Sequence, residues 1–214
     1  CLAHIGHRVV CIDNDQAKIR QLQKGHVPIY EPGLEELLKK YYKSGRLSFS
    51  GSIAEGAKKA TVVFIAVGTP SKKNGDADLT YIENVAREVA RSMDSYKLLV
   101  EKSTVPAETG KRIERTIRLN MHPRFKNSKK GAPQFDVASN PEFLREGTGI
   151  RDFLHPDRVV IGASSERATS LLVSLYEPLN APLLLTDIKS AELIKHSANA
   201  FLAVKISFIN AVAR

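Results

Sequence analysis

The sequence predicts an α/β protein of the doubly wound type, in which a mostly parallel sheet lies between two layers of helices. Short apolar runs rich in β-branched residues alternate with segments of helical length whose apolar residues recur every three or four positions. The run 62–67 is apolar throughout, as is typical of strands covered on both faces. With 214 residues, of which 43% are hydrophobic, the chain can bury one main core.

The predicted strands follow one another along the chain in six runs. They are HRVVCID, TVVFIAV, KLLVEKS, FDVASN, DRVVIGA and APLLLT. The opening CLAHIG is typical of a helix that closes at Gly6, so we expect the first strand of such a fold and its glycine-rich turn to precede Cys1. A helical run begins near Asp187. Ligands of doubly wound sheets bind beyond the carboxyl ends of the strands, where the candidate residues therefore lie.

Composition narrows the function classes. No run approaches the roughly 18 apolar residues of a membrane-spanning helix, and the first residues lack the order of a signal peptide. Cys1 and Cys11 are too few for a disulfide framework, and the six histidines show no metal-ligand spacing. We expect a cytoplasmic protein without a membrane partner or a metal, in which Cys11 is a small core residue.

The net charge of +9 is spread along the chain rather than gathered into a stripe with interleaved aromatic residues. Anionic small ligands explain this charge as well as nucleic acid does, and no nucleic-acid recognition motif is present, so we expect no such partner. The densest basic segment, 122–131, is polar and rich in turn-forming residues. We interpret it as a mobile surface insertion.

Asp13 ends the first predicted strand, and Lys18 follows on the next helix. In a Rossmann-type fold, an acidic side chain at this place accepts hydrogen bonds from the adenine-ribose hydroxyls and repels a 2′-phosphate, which favours NAD over NADP. The alternative is that Asp13 or Asp15 only caps the helix.

Two later strands have similar exits. The first passes into Gly68, Thr69 and Pro70, where glycine permits close approach of a ligand and the threonine hydroxyl can donate. The second ends at Ser103 and Thr104. Either exit alone is an ordinary turn, but the repetition indicates a binding edge.

Long ordered segments of the chain resemble the UDP-glucose/GDP-mannose dehydrogenase family. They are GHRVVCIDNDQAKI, GHVPIYEPGLEELL, GRLSF, FIAVGTP, KSTVP, SNPEFLREGTGIRDF, PDRVVIG and SAELIKHSANAFLAVKISFIN. The segment 121–134 is the main part that does not match. The resemblance implies an NAD-binding domain over residues 1–186 and, over 187–214, the start of a central connecting helix that leads into a dimer-forming region.

The activity that the resemblance implies is the NAD-dependent four-electron oxidation of UDP-glucose to UDP-glucuronate by a homo-oligomeric parent enzyme. In this family a cysteine forms a thiohemiacetal with the intermediate aldehyde, and the resulting thioester is hydrolysed. Another nucleotide sugar, such as GDP-mannose or a UDP-N-acetyl sugar, stays open as the substrate. So do a two-domain dehydrogenase that transfers a single hydride and a nucleotide-binding remnant without activity.

The resemblance also assigns roles to individual residues. Those carried over as catalytic are Thr104, Glu142, Glu146, Lys195 and Asn199. The cofactor positions are Asp13, Lys18, Val67, Gly68, Thr69, Ser103, Thr104 and Glu146. The substrate positions are Glu142, Phe143, Leu144, Arg145, Lys195 and Asn199.

The chemistry of the route fits these residue types. Lys195 and Asn199 lie four residues apart, on one face of a helix, as a cation and an amide donor that stabilise a developing negative charge require. The resemblance implies that Thr104 helps to order the hydrolytic water and that one of the two glutamates acts in general acid–base catalysis. On local sequence alone, Glu142, Arg145, Glu146 and Arg151 would instead form an exposed cluster of ion pairs.

Two features depart from the family pattern. Neither Cys1 nor Cys11 stands in the place of the family's nucleophile, whose glycine-rich segment would follow Arg214. We therefore expect no turnover by these residues alone. Ala211 stands where related sequences often have glutamate.

Overall fold

A computed structural model describes residues 1–122, 125 and 132–214. Within them the strands are β1 (Val9–Ile12), β2 (Leu47–Ser50), β3 (Val62–Ile65), β4 (Lys97–Glu101), β5 (Phe135–Ser139), β6 (Val159–Ala163) and β7 (Leu183–Thr186). The helices are α1 (Gln16–Gln23), α2 (Leu34–Lys43), α3 (Ile53–Lys59), α4 (Thr80–Ser92), α5 (Thr109–Asn120), α6 (Gly149–Leu154), α7 (Glu166–Tyr176) and α8 (Ile188–Val212). A 3-10 helix covers Glu177–Leu179. Most of the predicted insertion 122–131 lies outside the described residues.

The strands form two sheets, and the predicted α/β, mostly parallel architecture is confirmed. β1 and β2 pair in parallel, and the second sheet has the order β3-β4-β5-β6-β7. Only β6 runs antiparallel to its neighbour β5 among the described pairs. The sequence does not predict β2, because the run LSFS is short and alternates with serine, so it lacks the apolar character of the other strands.

Helices cover both faces of the five-stranded sheet. Side chains alternate along β4, so that Leu99 packs in a core with Val89 of α4 and Ile113 of α5. On the opposite face Leu98 packs in a second core with Leu172 of α7. A hydrophobic core on each face of the sheet is what a doubly wound fold requires.

β1 is hydrogen-bonded to β2, and its residues other than Cys11 are partly buried. Cys11 on this strand is exposed. The prediction that Cys11 is a small core residue is therefore wrong for the described structure, because the apolar run around it lies in a two-stranded sheet rather than in the covered five-stranded one.

α8 has a buried beginning and an exposed remainder. Asp187 caps it by accepting a hydrogen bond from the amide of Ser190 at 2.9 Å. Ala191, Glu192 and Lys195 are buried, whereas Phe201 is 67% exposed. None of the helices in the described part of the chain combines the length and the apolar character that crossing a membrane requires.

Close approach of α8 to β6 depends on Gly162. A Cβ atom at this position would lie 2.5 Å from the Cβ of Ala191 and 2.7 Å from the carbonyl oxygen of Asp187. Real carbon atoms do not approach so closely, so only glycine allows the helix to lie where it does.

Gly162→Ala is expected to destabilise the fold by about 1–3 kcal/mol, because α8 must move off the sheet to admit the methyl group. Urea unfolding of the two proteins measures the difference. Gly68→Ala is the matched control, since a Cβ added there would meet no atom within 4 Å, and it should change stability by less than about 1 kcal/mol. Equal effects of the two substitutions would contradict the packing argument.

Candidate functional site

The exits of β3 and β4 are bonded to each other. The Ser103 hydroxyl accepts a hydrogen bond from the Val67 amide at 3.0 Å and lies 2.7 Å from the Val67 carbonyl oxygen, to which it donates. The Thr69 hydroxyl donates to the carbonyl of Thr104 at 2.9 Å. The five-stranded sheet thus brings together four of the predicted cofactor positions at one edge.

These bonds also change what the two hydroxyls can do. A hydroxyl has one proton to donate. Ser103 and Thr69 each direct that proton to a backbone carbonyl, so in this structure they brace the two loops. Gly68, which directly precedes Thr69, has open space where a side chain would be, and its backbone is therefore accessible.

Glu142, which is partly exposed, meets the buried Lys195 at this edge. The Lys195 Nζ lies 3.2 Å from the Glu142 Oε1, and the lysine side chain is 9% exposed. The other oxygen of Glu142 accepts a hydrogen bond from the Leu144 amide at 2.6 Å. The Phe143 ring centroid lies 5.2 Å from the same ammonium. Four predicted substrate positions are therefore linked through the contact of Lys195 with Glu142.

A residue that the sequence analysis did not select, Lys102, completes this cluster. Its ammonium donates to the backbone carbonyl and to the side-chain oxygen of Asn140, each at 3.2 Å. Burial lowers the pKa of Lys102 to about 8, the negative charge of Glu142 raises it, and Lys195 lowers it. Lys102 is thus close to losing its proton near neutral pH, which is the property that proton transfer requires.

Asn140 is the rigid support of this lysine. It is 1% exposed, its amide nitrogen donates to the Val160 carbonyl at 2.8 Å, and its oxygen accepts from the Tyr176 hydroxyl at 2.5 Å. The only sequence signal for this cluster was a charged residue directly after the buried strand β4.

The other charges that follow β5 face outward. Arg145 forms two side-chain hydrogen bonds to Asp152, with Nη2 to Oδ1 at 2.8 Å and Nε to Oδ2 at 3.1 Å, and this contact holds the pKa of Asp152 far below its usual range. Glu146 is exposed. The alternative of an exposed ion pair therefore describes Arg145, whereas Glu142 faces the buried Lys195.

Glu31 fixes this segment from a distant part of the chain, and the sequence analysis did not select it. Its carboxylate accepts hydrogen bonds from the Gly147 amide at 2.9 Å and the Ile150 amide at 3.4 Å. Gly147 has φ 82, a left-handed conformation that favours glycine. The loop before α2 thereby sets the turn that carries Glu146.

Asp13 and Lys18 form their own pair at the end of β1. The Lys18 Nζ lies 2.7 Å from the Asp13 Oδ2, and this hydrogen bond holds the pKa of Asp13 below its usual value. Asp15, rather than Asp13, caps α1 by accepting from the amides of Ala17 and Lys18. The carboxylate of Asp13 is therefore ionised and not occupied as a helix cap.

A cavity of about 600 Å³ opens beside the cluster. Its walls include Lys102, Glu142, Phe143, Leu144, Arg145 and Arg158. Asn199 lies one helical turn beyond Lys195 and is exposed. In the described part of the chain, no group of three or more His, Cys, Asp and Glu side chains is placed to hold a metal ion.

Comparison with known families and proteins gives a consistent result. Residues 1–180 match the NAD binding domain of the UDP-glucose/GDP-mannose dehydrogenase family, and residues 189–214 match the central domain of that family. The chain is 46% identical to the UDP-glucose 6-dehydrogenase TuaD of Bacillus subtilis, over 100% of this chain and 44% of the relative. It is also 46% identical to the UDP-glucose 6-dehydrogenase of Rhizobium meliloti, over 100% and 48%. The chain spans about half the length of these relatives.

Solved structures agree with this match. A UDP-glucose dehydrogenase from Pyrobaculum islandicum is 45% identical and superposes with a TM-score of 0.91, over 99% of this chain and 48% of that one. A GDP-mannose dehydrogenase from Pseudomonas aeruginosa is 37% identical with a TM-score of 0.86, over 98% and 48%.

Glu142→Gln is expected to lower the pKa of Lys102 further below 8, by about 1 pH unit, because the variant removes the negative charge that favours the ammonium and leaves Lys195 in place. Nuclear magnetic resonance of the lysine side chains across a pH titration measures the change. Glu146→Gln is the control, since Glu146 does not contribute to the pKa of Lys102. An unchanged or higher pKa in Glu142→Gln would show that the two side chains are not coupled.

Proposed function

The chain belongs to the UDP-glucose/GDP-mannose dehydrogenase family, and we propose that it supplies the cofactor domain of an enzyme that oxidises UDP-glucose to UDP-glucuronate. The contact between the buried Lys195 and Glu142 carries this proposal, because a cation held beside a cavity can stabilise the negative charge that develops when an alcohol is oxidised. The names of the relatives support UDP-glucose as the substrate.

Residues of this chain fit the cofactor at two places. NAD, when bound, accepts the hydride that leaves the carbon of the alcohol. The ionised carboxylate of Asp13 can accept from the hydroxyls of the adenine ribose, and its charge disfavours a 2′-phosphate. Lys18 holds that carboxylate in position. The open backbone at Gly68 allows a ligand to approach the loop after β3.

Oxidation of the alcohol places negative charge on the sugar oxygen, and the ammonium of Lys195 stabilises it. Asn199 lies on the same side of α8 as Lys195. We assign it the role of amide donor once the remaining domains of the enzyme complete the site. Glu142 orients Lys195 and is a candidate to accept a proton. Lys102 is a second candidate, because its pKa of about 8 allows both protonation states.

The later hydrolytic step requires groups that hold a water molecule. We assign Thr104, whose backbone is fixed by Thr69, to this role, with Glu146 near the cofactor. The cysteine nucleophile of the family comes from a segment outside these residues, so this chain contributes the charge-stabilising and water-ordering part of the site.

We further assign residues 1–186 to the NAD-binding domain and 187–214 to the start of the central helix. The exposed apolar side chains of α8, among them Phe201 and Phe208, support a homo-oligomer in which other parts of the enzyme cover this helix. The use of NAD and a nucleotide sugar favours a cytoplasmic location.

A second candidate substrate is another nucleotide sugar, such as GDP-mannose, since a GDP-mannose dehydrogenase shares the fold at 37% identity. One experiment tests both the four-electron route and the substrate. The enzyme that contains this chain is incubated with NAD and with each sugar nucleotide in turn.

UDP-glucose is expected to yield about two NADH per sugar consumed, because each of the two oxidation steps releases one hydride. Absorbance of NADH at complete conversion, against a known amount of sugar, measures the ratio. One NADH per sugar would indicate an enzyme that transfers a single hydride. Faster turnover of GDP-mannose than of UDP-glucose would identify GDP-mannose as the substrate. The residues 1–214 alone are expected to give no turnover.

Lys195→Ala is expected to lower kcat by about 10²–10³-fold, because it removes the cation from the developing oxyanion. Lys189→Ala is the matched control, since Lys189 lies on the same helix, is exposed and pairs only with Glu108 at 3.0 Å among the described ion pairs. Steady-state kinetics of both variants compare the two losses, and a Lys195→Ala enzyme with nearly full kcat would remove Lys195 from the proposed role.

A further inference from the structure

Two buried glutamates lie together where α8 meets the sheet and α5, and the proposed chemistry uses neither of them. Glu101 is the last residue of β4 and is 0% exposed, and Glu192 of α8 is 2% exposed. Glu101 is paired in register with Ser139, Ser139 is paired with Gly162, and Gly162 lies against the first turns of α8, so the two carboxyl groups face the same buried space. Two carboxylates in contact in a buried site repel each other strongly, so the pair must be stabilised by a proton.

The surroundings of Glu192 mark it as the ionised partner. Its Oε2 accepts a hydrogen bond from the Glu108 amide at 2.6 Å, and its Oε1 accepts from the Gly110 amide at 2.7 Å. These amides lie at the beginning of α5, where the helix dipole favours a negative charge. Both oxygens of Glu192 therefore accept backbone hydrogen bonds, an arrangement that favours a carboxylate over a carboxylic acid.

The surroundings of Glu101 are the opposite. Neither of its carboxyl oxygens accepts a hydrogen bond from any donor in the described part of the chain. Its register neighbours on β3 and β5 are Ile65 and Ser139, which carry no charge. Burial, followed by the charge of Glu192, raises the pKa of Glu101 to about 9.

We propose that Glu101 and Glu192 share one proton, with Glu101 as the carboxylic acid that donates and Glu192 as the carboxylate that accepts. The shared proton links the end of β4 to the second turn of α8. The backbone amides that donate to Glu192 link both of them to the start of α5. Glu192 lies three residues before Lys195 on α8, and Glu101 directly precedes Lys102, so the pair lies close in sequence to both lysines.

Packing around the pair shows that the contact is built into the fold. A Cβ atom at Gly110 would lie 2.6 Å from Ile188, so glycine is needed to admit the first turn of α8, the helix that carries Glu192, against α5. Glu108 itself has φ 75, a left-handed conformation that is uncommon for a residue other than glycine. The backbone at the start of α5 is thus shaped around the Glu192 carboxylate.

The charged groups near the pair are few and have their own partners. At the start of α5 and α8, the exposed Glu108 and Lys189 pair with each other. Lys102 contacts Asn140, and Lys195 contacts Glu142. The exposed Asp187 caps α8. Of these charges, none besides Glu192 contributes to the pKa of Glu101.

The proposal predicts an asymmetry between two otherwise equivalent substitutions. In Glu101→Gln an amide N–H replaces the acid O–H and donates to Glu192, so the full chain should fold and keep the native melting temperature near pH 6. In Glu192→Gln a side-chain amide N–H faces backbone donors, which leaves one of them unpaired, so the melting temperature should fall markedly. Glu108→Gln, an exposed glutamate at the same junction, is the control and should change it little.

The pH dependence gives a second, independent readout. Since the pKa of Glu101 is raised in the folded state, its contribution to stability is complete below pH 4.5 and is lost as the pH rises to about 9. Between these limits the unfolding constant of the native chain should rise, relative to that of Glu101→Gln, by up to about tenfold per pH unit. Lys102 is present in both proteins, so its titration cancels in the comparison.

Infrared spectroscopy of chain labelled with ¹³C-glutamate tests the proton directly. We expect the carbonyl band of a protonated carboxylic acid at pH 7, lost in Glu101→Gln and lost from the native chain above about pH 9. The proposal is overturned by absence of that band, by parallel pH profiles of the native chain and Glu101→Gln, or by Glu101→Gln failing to fold while Glu192→Gln is tolerated. None of these measurements depends on dehydrogenase activity.

Discussion

The close seating of α8 on the edge of the sheet is the constraint on which the site depends. Gly162 admits the first turn of this helix against β6, and Gly110 admits it against α5. Only with the helix at that distance does Lys195 reach Glu142, which stands on the loop after β5. The site is therefore a consequence of helix packing, in which two missing side chains are as important as the charged ones.

Charge in this confined region is balanced by alternating partners. Glu142 interacts with both Lys102 and Lys195, and burial, aided by the charge of Lys195, lowers the pKa of Lys102 to about 8 in spite of Glu142. Burying an isolated charge costs several kcal/mol. The structure reduces that cost by pairing Lys195 with Glu142 and by lowering the pKa of Lys102. The same rule applies one helical turn earlier, where two glutamates lie together and only one of them has donors. Glu101 and Lys102, side by side at the end of β4, thus both have a pKa shifted toward the neutral form by burial against α8.

Much of the fold follows from local sequence. Continuous apolar runs predict the five strands of the covered sheet, and the polar residues just after β3 and β4 predict the edge where Val67, Ser103 and Thr104 meet. The contacts that the sequence did not predict join residues far apart in the chain. Glu31 bonds to Gly147, and Glu192 bonds to Gly110. The sequence around each of these two glutamates is what one expects around a surface residue. Each contact depends on how a distant element packs against the glutamate, which the local sequence does not show.

The segment after β5 shows why residue type alone does not separate a charge that faces the candidate site from one that pairs outside it. Glu142 and Arg145 are three residues apart, yet the glutamate turns inward to Lys195 and the arginine pairs outside with Asp152. The backbone decides the difference, since the Leu144 amide holds one oxygen of Glu142 and the Arg145 amide bonds to Asp152 at 3.0 Å. Ser103 and Thr69 illustrate the same point at the neighbouring loops, where hydroxyls that look suited to a ligand hold the backbone instead. The edge of the sheet therefore combines a braced frame with a few charged groups, and it is the frame that sets where those charges can act.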